Sequence, residues 1–127
     1  MIAFFPGKFQ PPHIGHVLTI VRIYEKYDKI IIGVTEDGPI VMSQKERVDI
    51  LQDIFKYMER VEIILLPGIL TEYEDFKLLP EFDICLSGNK KVVEKISSFG
   101  INAKHLNRSQ GIGFSGTEMR SLRNSGA

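Results

Sequence analysis

Apolar residues recur along this chain with two interleaved periods. Mostly apolar runs at residues 2–5, 29–35, 61–66 and 83–87 read as strands. The run 29–35 is β-branched and unbroken, which suits a strand covered on both faces, as in a parallel sheet. Residues 17–24 read as a first helix, beginning at or just after Pro11-Pro12, which cannot lie inside one. Ser43 and Glu46 form a capping box, and behind them Leu51, Ile54, Phe55 and Met58 recur at helical spacing. Asp49, Gln52, Asp53 and Lys56 take the opposite side. Residues 70–79 read as a short helix ended by Pro80. Val92, Val93, Ile96 and Phe99 form the apolar face of a helix over 90–99, and Gly100 is placed to end it in the left-handed conformation. Residues 101–106 read as a fifth strand and 107–113 as a polar loop. Ser115 and Glu118 make a second capping box, opening a last short helix through Leu122. Strands alternate with helices, so the expected fold is α/β: a five-stranded parallel sheet with helices on both faces, in one domain over 1–127.

Composition narrows the partners. Sixteen basic residues balance sixteen acidic ones, so broad attraction to nucleic acid or to an anionic membrane is not expected. No charged leader precedes a long apolar core, and no apolar run reaches bilayer-spanning length; a cytoplasmic protein is expected. The one cysteine, Cys85, lies in the run Phe82-Asp83-Ile84-Cys85-Leu86 and reads as a buried thiol, not a nucleophile.

Candidate chemistry concentrates between the first strand and the first helix, in Gly7-Lys8-Phe9-Gln10-Pro11-Pro12-His13-Ile14-Gly15-His16. In open α/β sheets, ligands bind at the carboxyl ends of strands. His13 and His16 are three apart and face one side, Gly15 allows close approach to the backbone, and helix amino termini attract anions. Two imidazoles and Lys8 beside such a terminus point to a phosphate site.

This stretch resembles the HxGH signature of the nucleotidyltransferase superfamily, in the form GxFQPxHxGH that is most similar to archaeal-type nicotinamide mononucleotide adenylyltransferases. A second match, Phe114-Ser115-Gly116-Thr117-Glu118-Met119-Arg120, resembles the closing motif of that family. The resemblance covers almost the whole chain and implies a Rossmann-like domain. It implies transfer of an adenylyl group from ATP to a phosphorylated small-molecule acceptor, such as nicotinamide mononucleotide, with release of pyrophosphate. His13, His16, Lys8 and Arg120 would then be catalytic. Gly7, Phe9, Gln10, Gly15, Asn89, Ser115, Gly116 and Thr117 would bind the nucleotide. Mg2+ would arrive with ATP, held by phosphate oxygens and water; no protein metal site and no zinc spacing is expected. A homo-oligomer is expected.

Two other functions stay open: a cytidylyltransferase using CTP and a phosphorylated alcohol, and a non-catalytic nucleotide-binding module. The absence of tryptophan leaves the acceptor open, since nicotinamide-binding members commonly stack an aromatic there. Residues 111–116 match GxGxxG literally, but they follow the last expected strand and lack the acidic partner of a dinucleotide fingerprint. Asn89 reads equally well as a helix N-cap. Arg47, at a helix start, is a weaker candidate for the acceptor, and His105 reads as structural.

Overall fold

The computed structural model describes residues 1–9, 12, 14–36 and 42–106. Five strands, β1 (Ile2–Gly7), β2 (Lys29–Val34), β3 (Val61–Leu65), β4 (Ile84–Ser87) and β5 (Ala103–His105), form one sheet in the order β3-β2-β1-β4-β5. Every pairing is parallel: Phe4 stands level with Ile31 on one side and with Cys85 on the other. Helices α1 (Ile14–Tyr24), α2 (Gln44–Ile54) and α3 (Lys90–Ser98) alternate with the strands.

Strand periodicity sends alternate side chains to opposite faces. Ala3, Phe5, Ile30 and Ile32 join Ile20 and Ile23 of α1 and Val48 and Leu51 of α2 in one core layer. Phe4, Ile31 and Cys85 join Ile96 of α3, Leu70 and Tyr73 in the other. Helices therefore cover both faces. Phe4, Ile30 and Ile32 are fully buried, and each such side chain contributes ~1.5–3 kcal/mol of transfer free energy. Gly33 is needed where these layers are tightest, because a Cβ there would lie 2.7 Å from Leu66 Cδ1 and 2.8 Å from Phe4 Cε1.

Local signals set the element ends. Ser43 caps α2, its hydroxyl accepting from the Glu46 amide at 3.1 Å. Gly100 takes φ 79° behind α3, as its place predicts. Some boundaries differ from the sequence reading. Helix α2 stops at Ile54, and Phe55 and Met58 reach the same core from the turn that leads into β3. Strand β5 is confined to Ala103–His105.

The expected helix over 70–79 is reduced to a single 3-10 turn, Leu70–Glu72. Tyr73 is extended and its hydroxyl donates to the Pro67 carbonyl, while the Asp75 carboxylate accepts from the Lys77 amide. Such side-chain bonds offer the backbone an alternative to helical pairing. The expected helix behind Ser115 lies outside the described residues. Among the described residues no helix is long and apolar enough to cross a membrane.

Candidate nucleotide site

Strand β1 is the centre of the sheet, and chain order reverses beside it. From β1 the chain passes through α1 to β2 on one side; β4, on the other side, continues through α3 to β5. The connections leave in opposite directions, which opens a crevice beyond the carboxyl ends of β1 and β4. The turns after Gly7 and after Ser87 flank it. The first turns of α1 and α3 contain no acidic residue, and α3 begins with Lys90 and Lys91. Their positive helix ends are thus not neutralised by carboxylates of their own first turns.

The turn after β1 is built on an inward-facing ring. Phe9 has φ 51°, a left-handed conformation uncommon for a residue with a side chain, and it is 2% exposed. Its ring fills the space above Gly7, where a Cβ would lie 2.9 Å from Phe9 Cε2. It also meets the His16 imidazole edge-on at 4.6 Å between centroids. His16 is half-buried in the first turn of α1, and Lys8 is exposed at the mouth of the crevice. Gly15 is buried, and its carbonyl accepts from the Thr19 hydroxyl at 2.8 Å. Gly7, Lys8, Phe9, Gly15 and His16 are thereby brought to one strand end. Phe9 reaches it from below, as part of the core. Gln10, His13, Ser115, Gly116, Thr117 and Arg120 lie outside the described residues.

Across the crevice, Ser87 is buried and its hydroxyl accepts from the Asn89 amide at 3.1 Å. The Asn89 side-chain oxygen caps α3 through the Lys91 amide at 2.9 Å. The capping role read from the sequence is present, on the same edge as the turn after β1. His105 Nε2 lies 3.2 Å from the Gly88 carbonyl and steadies this second turn, a structural use. Cys85 is fully buried, and burial pushes its thiol up to about 12, so it stays protonated at neutral pH. Among the described residues no group of three His, Cys, Asp or Glu side chains is placed to hold a metal ion.

Sequence reasoning misplaced one residue and missed another. Arg47 is 1% exposed, so it does not face an acceptor in solution; its guanidinium donates to the carbonyls of Lys8, Thr35 and Ser43. Gln44 Nε2 donates to the carbonyls of Val34 and Leu66 at 2.8 and 2.9 Å. The available signal was their spacing: positions three apart in a first helical turn share a face.

A parallel sheet with acid-free helix starts at its switch point is an α/β arrangement suited to an anionic ligand. The comparisons sharpen that class. A cytidylyltransferase-like family model matches residues 4–66, from β1 through β3. A phosphopantetheine adenylyltransferase of Vesicomyosocius okutanii is 31% identical over 111 residues, covering 84% of this chain and 68% of that protein. A nicotinamide-nucleotide adenylyltransferase of Methanosarcina acetivorans is 28% identical, covering 94% of this chain and 75% of that one. The match to a phosphopantetheine adenylyltransferase of Clostridium botulinum covers only 46% of that protein's length. Among solved structures, NadR in complex with NAD and AMP-PNP superposes with a TM-score of 0.68 at 16% identity, over 98% of this chain and 43% of that one. A lipopolysaccharide core biosynthesis protein from Thermoplasma volcanium has TM-score 0.56 at 20% identity and is matched over 93% of its length. The chain belongs to the cytidylyltransferase-like nucleotidyltransferases.

Proposed function

We propose that this nucleotidyltransferase moves an adenylyl group from ATP to a phosphorylated small molecule and releases pyrophosphate. The observation that carries this reading is the turn after β1. There His16, Gly15 and Lys8 converge at the sheet's switch point, beside a helix start without carboxylates. The adenylyltransferase relatives from two branches favour ATP over CTP.

In this reading a phosphate oxygen of the acceptor attacks the α-phosphorus of ATP. The new P–O bond forms as the bond to the bridging oxygen of the β-phosphate breaks, and that electron pair leaves with pyrophosphate. A phosphate monoester is largely ionised at neutral pH, so the attacking oxygen needs no general base. What remains is alignment of the two phosphates and stabilisation of charge. His13 and His16 donate to the triphosphate as charge develops. Lys8 and Arg120 hold the leaving pyrophosphate. Ser115, Gly116 and Thr117 donate to phosphate oxygens, Gly15 lets the nucleotide approach the backbone, and Gly7 lines the turn by making room for the Phe9 ring. Phe9 and Gln10 shape the turn, and Asn89 lines the facing edge. Mg2+ arriving with ATP neutralises phosphate charge and is held by phosphate oxygens and water. The protein works in the cytoplasm as a homo-oligomer, without nucleic acid or membrane as a partner.

The test is a thermal shift with ATP and with CTP, each with Mg2+, followed by pyrophosphate release. A ligand that binds only the folded state raises stability by mass action. ATP should give the larger shift, and pyrophosphate should appear with phosphopantetheine or nicotinamide mononucleotide as acceptor. A larger shift with CTP moves the assignment to cytidylyl transfer. Binding of ATP without turnover on a panel of phosphorylated acceptors moves it to a non-catalytic nucleotide module.

A further inference from the structure

Arg47 is among the largest fully buried side chains of the protein, and it lies 39 residues from the turn it touches. Its Nη1 donates to the Lys8 carbonyl and, at 2.9 Å, to the Thr35 carbonyl, and its Nε donates to the Ser43 carbonyl at 3.3 Å. The adjacent carbonyl, that of Gly7, accepts from the Thr35 amide at 3.0 Å and from the Thr35 hydroxyl at 3.3 Å. Two consecutive carbonyls of the phosphate turn are therefore held from the same place. One turn of helix away, Gln44 ties α2 to the ends of β2 and β3. A guanidinium has its donors in a rigid planar fork, which suits bonding several fixed acceptors at once; an ammonium is a point donor on a flexible stem.

We propose that Arg47 is a positioning residue for nucleotidyl transfer: its buried fork locks the Gly7–Lys8 backbone to the end of β2 and the start of α2, setting where Lys8 and the start of α1 meet the triphosphate. The catalytic part of this inference rests on the function proposed above. The locking itself does not, and the two are tested separately. Removing the fork leaves the carbonyls of Lys8 and Thr35 without that donor in a dry site, so the turn relaxes away from β2. Small displacements of this kind are costly in a reaction that depends on alignment.

The experiment compares Arg47→Lys and Arg47→Met with Val48→Ala, which removes core packing from the neighbouring position of the same helix. Melting temperature, ATP affinity and single-turnover pyrophosphate release are measured on each, and amide exchange is followed at Thr35 and Leu66. The Leu66 amide donates to the Val34 carbonyl on the Gln44 side, so it serves as an internal reference. Both Arg47 variants should lose ~10²-fold in turnover, with Lys no better than Met, and far more than Val48→Ala at a matched loss of melting temperature. Exchange at Thr35 should accelerate by at least ~10-fold in Arg47→Lys relative to Val48→Ala, with Leu66 unchanged. Full activity in Arg47→Lys, or losses that simply track melting temperature, overturns the positioning role. Unchanged Thr35 protection overturns the lock. A wild-type protein without turnover, but with the expected exchange, overturns the proposed reaction and leaves the lock standing.

Discussion

The Phe9 ring meets the His16 imidazole edge-on, with centroids 4.6 Å apart and 64° between the planes. The left-handed backbone of Phe9 and the bare Cα of Gly7 make that contact reachable. A ring projecting outward would have joined the nucleotide directly; this one supports the histidine from the core.

Phe9→Leu keeps an apolar side chain but removes the aromatic edge. The His16 ring protons should move in the NMR spectrum as the ring current of Phe9 disappears, and turnover should fall with little change in ATP affinity. Unshifted His16 resonances would deny the contact. Phe9→Ala is the harsher variant and should cost ~3–5 kcal/mol of stability, as large-to-small core changes do.

His16→Ala tests the donor itself. Loss of one preorganised donor to a developing charge typically costs ~10²–10³ in turnover. The variant should stay folded and still bind ATP, because the interaction strengthens chiefly in the transition state. His16→Asn should retain more activity than Ala if hydrogen-bond donation is the main contribution. A packing histidine behaves differently: its loss lowers the melting temperature and leaves turnover per folded molecule intact.

Thr117→Ala and Arg120→Ala address the closing motif. Each should weaken ATP binding, measured by calorimetry, and Arg120→Ala should also slow pyrophosphate release. Wild-type affinity in both would remove this motif from the nucleotide site.

Cys85 makes stability depend on pH. Burial holds its thiol at about 12 in the folded protein, against 9.0 for a thiol in water. Below pH 9 both states are protonated and the full stability is present. Between pH 9 and 12 the unfolded chain loses its proton first, so stability falls, by up to ~1.4 kcal/mol per pH unit. The buried phenol of Tyr73 is raised as well and acts with the same sign. Denaturant midpoints at pH 8 and pH 10 should therefore separate less in Cys85→Ala than in the wild type. Equal separation would mean the thiol is not held in the core.

Much of the framework around the turn after β1 was legible in the sequence, because its signals are local. Proline at the start of α1, serine before α2, asparagine before α3 and glycine after it each act within one turn of their own position. The run around Cys85 announced its burial in the same way. The two histidines three apart belong to this local class too, and the family signature was complete in ten residues.

What the chain's own pattern left undecided depends on which groups the folded backbone brings together. Strand order is one case: β1 lies between β2 and β4, and no periodicity within a strand names its neighbours. The stretch 70–79 is a second, where a tyrosine hydroxyl donating to the Pro67 carbonyl and an Asp75 carboxylate accepting from the Lys77 amide outweighed helical spacing. Phe9 and Arg47 are the most informative. One looks like a motif residue for the ligand and the other like a surface cation. The apolar roles of Gly7 and His16 turned the first inward, and three backbone carbonyls on separate segments drew in the second. Amino-acid sequence alone thus determined the alternation of strand and helix, the caps and the place of the turn between β1 and α1. Tertiary structure decided which side chains support that turn, because a buried ring or guanidinium is stable only where the folded chain supplies its surroundings.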